Sequence, residues 1–192
     1  MDVERFCLKF FAREGVVDEA CFIPIFHDWI RLKSLPGTLI DVADYRHVPD
    51  GPGIMLISFE INYAMDHGGG QFGLSAQRKL GQEGSHSERI VELAKRTALF
   101  GSLLEADPRL GGTLVLEGGT FLYAANDRLR FPNTDEGFAA LQPDLLAAAA
   151  ALYGEQPLTV RRVPNDPRER LSALVETAGP LPISSLAPSA TD

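Results

Sequence analysis

The side chains whose types could do chemistry together are Asp41, Asp44, His47, Glu60, Asn62 and Asp66. Asp41, Asp44 and His47 close one strand-like segment and enter the turn Val48-Pro49-Asp50-Gly51-Pro52-Gly53. Glu60, Asn62 and Asp66 lie on the next apolar stretch and its exit, ahead of His67. If the two segments pair as a hairpin, Asp41 or Asp44 shares a side with Glu60 and Asn62. Convergent carboxylates beside an imidazole hold a divalent cation or act as an acid/base pair. The spacing argues against that chemistry. No HxH, HExxH or DxD pattern is present, and aspartates at strand ends serve equally well as solvated turn residues. No catalytic residue, metal site or cofactor is therefore assigned. Gly51-Pro52-Gly53 precedes a strand and Gly68-Gly69-Gly70 falls inside a hairpin, so neither presents a helix N-terminus to a phosphate. Ser184 and Ser185 lack the strand-turn-helix setting of a nucleophile.

A second polar group is basic. Asn126, Asp127 and Arg128, with Arg130, lead into a helix start, and Arg161, Arg162, Arg168 and Arg170 bracket Pro164 and Pro167. These residues form a candidate surface for an acidic partner; turn and cap chemistry explains the first part equally well. His27 flanks an apolar stripe, and His86 follows a capping serine and is expected in solvent. Cys7 and Cys21 sit among apolar neighbours and form no CxxC pair, so both read as reduced, small hydrophobes.

The elements that must position these groups follow from periodicity. Arg5 to Ala12 reads as a strand with Phe6, Leu8 and Phe10 on one face and Cys7, Lys9 and Phe11 on the other, the pattern of a central strand. Phe22, Ile25, Phe26, Trp29 and Ile30 recur at helical spacing, with Pro24 tolerated in the first turn and Pro36-Gly37 as the stop. Thr38 to Tyr45 is a strand. Ile54 to Met65 reads as a single long one with odd-numbered apolar residues on one face and Ser58, Glu60 and Asn62 on the other. Asp66 to Gly70 turns it into Gln71 to Lys79. Ser85 and Glu88 form a capping box, and Ile90, Leu93, Ala94, Thr97, Phe100, Gly101 and Leu104 carry the buried stripe of the helix that follows. Thr113 to Glu117 and Thr120 to Arg128 read as a hairpin about Gly118-Gly119. A short helix near Asn133 precedes a longer one from Pro143 to Tyr153, capped by Gly154 in a left-handed conformation. Leu158 to Val163 is a strand. The last element is open between a helix started by Asp166-Pro167-Arg168-Glu169 and a strand, which the alternation of Leu171, Ala173 and Val175 favours.

Hairpins outnumber strand-helix-strand units, so the fold class is α+β with a largely antiparallel or mixed sheet, built of two similar hairpin-plus-helix halves or of one body. Residues 1–178 form one domain, and 179–192, rich in Pro, Ser and Ala, form a tail outside the core. The chain of 192 residues is long enough to bury a core without staples. Its 26 acidic against 18 basic residues disfavour nucleic acid, whose binding rests on Lys and Arg. No apolar run reaches membrane-spanning length, and Met1 to Arg5 do not open a leader, so a cytoplasmic location is expected.

The runs Phe22-Ile23-Pro24-Ile25-Phe26-His27-Asp28-Trp29-Ile30 and Leu39 to Val48, followed by Gly51-Pro52-Gly53, resemble an uncharacterised family of bacterial proteins. The resemblance extends to about Val175 and includes Asn126-Asp127-Arg128-Leu129 and Pro132-Asn133-Thr134. It implies no assigned activity. It also implies a His in relatives where this chain has Phe59, so a His-Glu pair involving Glu60 is lacking here. The function expected from the sequence is a non-catalytic binding or accessory protein acting through a protein partner or a homo-oligomer. The alternative is a small-molecule or metal-dependent enzyme using Asp41, Asp44, His47, Glu60 and Asp66.

Overall fold

A computed structural model describes residues 3–13, 16–49 and 51–188. Eight strands form one sheet: β1 (Phe6–Ala12), β2 (Leu39–Asp44), β3 (Ile54–Ser58), β4 (Ile61–Asp66), β5 (Gly73–Arg78), β6 (Leu116–Ala125), β7 (Leu158–Arg162) and β8 (Ser172–Thr177). Their order is β2-β3-β4-β5-β1-β6-β8-β7, and every ladder is antiparallel. Helices α1 (Phe22–Leu32), α2 (His86–Glu105) and α3 (Asp135–Tyr153) all pack on one face. Phe100 of α2 meets Phe26 and Trp29 of α1 edge-on and stacks on Tyr63 of β4. The Tyr153 hydroxyl of α3 donates to the Gly118 carbonyl of β6 at 2.8 Å. The α+β antiparallel fold is as the hairpin count implies. Its parts are unequal, with five strands drawn from the first half and three from the second.

β1 is central, between β5 and β6: Phe6, Leu8 and Phe10 are fully buried under the helices, and Lys9 is buried on the other face. The capping box of α2 is formed from both sides, and its stripe from Ile90 to Leu104 is buried residue for residue. Helix α1 ends where its spacing places it, at about Lys33, which caps it in a left-handed conformation ahead of Pro36-Gly37.

Three expected elements are corrected. Ile54 to Met65 is two strands, not one. The Ser58 hydroxyl closes a two-residue turn, donating to the Ile61 carbonyl at 2.5 Å and accepting from the Ile61 amide at 3.0 Å. Partners across an antiparallel pair share a face, and Met55 opposes Ala64 while Leu56 opposes Tyr63. Odd residues of β3 therefore lie with even residues of β4, so Met55 and Ile57 join Asn62 rather than Tyr63. Simple alternation cannot register a turn whose tip, Phe59-Glu60, is neither Gly nor Pro.

Gly118-Gly119 is not a turn but the interior of β6. A Cβ at Gly118 would lie 2.7 Å from the Pro182 carbonyl oxygen, and one at Gly119 would lie 2.6 Å from the Thr177 hydroxyl. The glycines admit a second backbone, as strand glycines often do. That backbone is the segment read as a tail. The Gly118 amide bonds the Leu181 carbonyl at 2.8 Å, the Glu117 carboxylate accepts from the Leu181 amide at 2.7 Å, and Ile183 and Leu186 are buried. Residues 189–192 of that segment, and Asp50 of the turn, lie outside the described residues.

The two helices expected from Asn133 to Tyr153 are one. Thr134 caps it by accepting from Gly137, and Pro143 sits inside with its carbonyl neighbour four residues back, Ala139, both on the exposed side. Water can take the carbonyl that proline leaves free there. Gly154 does end it with a positive φ of 70°, but its ψ of -141° is outside the left-handed helical region.

Truncating Ile183 to Ala should lower unfolding stability by about 2–5 kcal/mol, as core truncations do. Ser184→Ala, exposed one residue on, should leave it unchanged. Equal denaturation midpoints for the two variants would show that the segment is not part of the core.

Candidate functional site

The helices leave the second face of the sheet open, and it is concave. Two rows of side chains cross it. One runs Met55, Ala64, Ser75, Lys9, Leu122, Leu174 from β3 to β8. The other runs Asn62, Gln77, Cys7, Ala124, Ser172 from β4 to β8. The loops after β2, β4 and β7 wall the face at Gly51-Pro52, Gly68-Gly69 and Val163 to Arg170, enclosing a groove of about 580 Å³. Gly53 brings the first wall down onto β4: its φ is +62°, and a Cβ there would meet the Met65 carbonyl oxygen at 2.0 Å.

The floor holds a buried ion pair. Lys9 Nζ donates to Asp66 Oδ1 at 2.6 Å, to the Gly68 carbonyl at 2.8 Å and to the Asp66 carbonyl at 3.2 Å. All three ammonium protons have acceptors. Asp66 Oδ1 also accepts from the Gly68 amide at 2.8 Å, and Oδ2 accepts from the Ser75 hydroxyl at 2.5 Å. Every strong group on this end of the floor is saturated by another. A lysine so held is neither a base nor a nucleophile, and Ser75 is a donor to a carboxylate, with no imidazole to take its proton.

The other end is less committed. Arg170 Nη1 lies 3.2 Å from Cys7 Sγ and 2.7 Å from Asn126 Oδ1. Burial pushes the Cys7 thiol above its ordinary value, against the opposing pull of Arg170, which keeps it in the thiol form. Gln77 makes no side-chain hydrogen bond among the described residues and reaches into the groove. The side-chain oxygen Oδ1 of Asn62 is buried, with no partner among the described residues.

The acidic candidates from the sequence do not converge. Asp41 accepts from the Val42 amide and is exposed. Asp44 binds Arg46 at 2.6 Å, and that pair holds its carboxyl down at about 2. His47 is exposed. Glu60 turns to the helix side, where Arg96 reaches it at 2.9 Å; Arg96 also binds Glu92, which binds Arg78. His67 meets Glu19 at 2.9 Å. Only Asn62 and Asp66 reach the groove, and no group of three His, Cys, Asp or Glu among the described residues is arranged to hold a metal.

The basic candidates are mostly neutralised by neighbours. Arg161 pairs with Glu176, Arg162 with Asp135 and Arg168 with Asp166; Arg128 donates to the Arg168 carbonyl, and Asp127 caps the turn at Arg130. Arg170 lines the groove instead, and Asn126 accepts from its Nη1. Lys9, Ser75, Gln77 and Cys7 were not visible as site residues. The one signal was the lysine on an otherwise apolar central strand.

His86 is the other correction: it is buried, not solvated. Nδ1 lies 3.2 Å from Asp144 of α3 and Nε2 lies 3.0 Å from the Tyr123 hydroxyl of β6, with Phe6 against its ring. A neutral imidazole serves both contacts, donating from Nδ1 and accepting at Nε2. His27 is exposed, and none of the described helices is long and apolar enough to cross a membrane.

No protein-family model matches the chain, and neither the curated proteins nor the solved structures provide a match.

Two outcomes follow from these contacts. Lys9→Met strands the Asp66 carboxylate and should cost about 3–5 kcal/mol of stability, much of it recovered when Asp66→Asn is added; a single-variant loss under about 1 kcal/mol would show that the pair does not hold the floor. Burial lowers the His86 pKa from 6.5 despite Asp144, so the unfolded chain binds the proton more readily. Stability is complete above the ordinary value and falls as pH drops below it. Urea midpoints from about pH 8 to about pH 5 should decline more steeply in the native protein than in His86→Gln, and parallel profiles would refute the assignment.

Proposed function

We propose that this chain is a non-catalytic binding protein whose ligand seat is the groove on the open sheet face. The observation that carries the reading is the division of labour in its lining. Lys9, Asp66 and Ser75, the groups able to do chemistry, are consumed by one another. Recognition groups, namely the side chains of Asn62, Gln77 and Arg170, line the same groove without being so consumed. A cavity of about 300–1,000 Å³ with a few polar groups on an apolar wall is the ordinary form of a ligand site. The same reading makes the protein an accessory factor that signals occupancy to a protein partner. Its two unpaired cysteines suit a reducing, cytoplasmic setting.

The test is retention. The purified chain is mixed with a small-molecule extract of cells that express it, washed by ultrafiltration and denatured, and the released compounds are identified by mass spectrometry. Ala64→Trp, which places an indole on the groove floor, should lose those compounds while keeping its fold by circular dichroism. Retention should leave the compounds chemically unchanged after prolonged incubation. Equal retention by the two proteins, or conversion of a retained compound, would overturn the reading.

A further inference from the structure

We propose that the ligand of this groove is a small carboxylate-bearing molecule, its carboxylate seated on Arg170 and Gln77 and an N–H or O–H donor seated on Asn62. The inference rests on the reading of the groove as a ligand seat and names the chemistry of what sits there.

Arg170 carries the argument. Arg161, Arg162 and Arg168, its neighbours in the same basic cluster, are each held by a carboxylate of the chain. Arg170 has no carboxylate partner among the described residues. Only its Nη1 is engaged, and by neutral groups: the Cys7 sulfur and the Asn126 side-chain oxygen. Glu169 also lines the groove but makes no ion pair with it. The guanidinium is thus anchored on one nitrogen and keeps donors in the fork geometry that matches a carboxylate. Gln77 lies directly opposite Cys7 across the β1–β5 ladder, so its amide can donate to the same anion.

The second anchor lies on the neighbouring strand. Asn62 opposes Gln77, which puts it two strand spacings, about 10 Å, from Cys7. Its side-chain oxygen Oδ1 is buried and unpartnered among the described residues, a state that costs free energy unless a donor arrives. Carbonyl oxygen at one end and guanidinium at the other define a ligand with a donor and a carboxylate about 10 Å apart. An extended tripeptide has that span, and trialanine is accordingly a suitable probe.

The experiment titrates the isotope-labelled full chain with trialanine, trialanine C-terminal amide and hexa-alanine, read by NMR at assigned amides. Trialanine should shift Cys7, Asn62 and Gln77 in a saturable way. The neutral amide, and trialanine against Arg170→Gln or Asn62→Leu, should each bind more weakly by roughly tenfold or more. Arg168→Gln, on the same loop but paired with Asp166, should bind as the native chain does. If acid and amide bind the groove alike, the seat stands and the carboxylate assignment falls. If hexa-alanine binds roughly tenfold tighter than trialanine, the occupant is a polypeptide terminus and the small-molecule assignment falls. If no probe shifts a groove residue and no cellular compound is retained, the groove is not a ligand seat and both proposals fail.

Discussion

One buried ion pair organises the open side of this molecule. Lys9 stands on the central strand, where an ammonium without partners would be untenable. Its contacts with Asp66 and the Gly68 carbonyl reach across β5 to the end of β4. They fix the turn that follows, and that turn is one wall of the groove. Ser75, on the intervening strand, completes the link through the second carboxylate oxygen. A charge on the middle of a sheet is thereby converted into a brace across three strands. Such pairs add little net stability over an apolar filling, but losing one partner is severe. Here the pair sets geometry: it fixes where the loop stands and leaves the floor unreactive beside it.

The helical side is built on a different principle. Aromatic rings from α1 and β4 converge on Phe100 of α2, and one polar group among the buried residues is His86. Its two ring nitrogens span Asp144 of α3 and Tyr123 of β6, tying both long helices to the sheet at one point. The Tyr123 hydroxyl, pushed well above its ordinary pKa by burial, remains a proton donor throughout the physiological range. Neither group opens to the groove, so the two faces of the sheet are chemically separate.

Periodicity and capping made the helices legible from sequence: the stripe of α2 and its capping box are realised as their spacing implies. Strand identity was legible too, including the central position of β1. What alternation could not reveal was a tight turn made without Gly or Pro, as at Phe59-Glu60, because each flanking strand alternates correctly on its own. The Gly118-Gly119 pair failed for the opposite reason. Glycine signals backbone freedom or close approach, and only the tertiary structure distinguishes the two. The site was the least legible part. Asp41, Asp44, His47 and Glu60 are close in sequence but take partners in different directions, whereas Lys9, Asp66, Ser75 and Arg170 are distant in sequence and meet only through the strand order. Asp66 and Arg170 were candidates for other reasons; Lys9 had no motif to announce it.

The strand order also bears on how the chain reaches this state. β1 is made early, yet one of its two neighbours is β6, with Cys7 and Ala124 paired across 117 positions of sequence. During synthesis the β2–β5 meander can assemble and accept β1 on one edge, leaving Phe6, Leu8 and Phe10 with a hydrogen-bonding edge and an uncovered apolar face. That edge waits while α2 and its following loop are translated. Long-range pairing of this kind slows folding and exposes a template for pairing with other chains. A nascent chain paused before β6 would therefore be the species most in need of a chaperone.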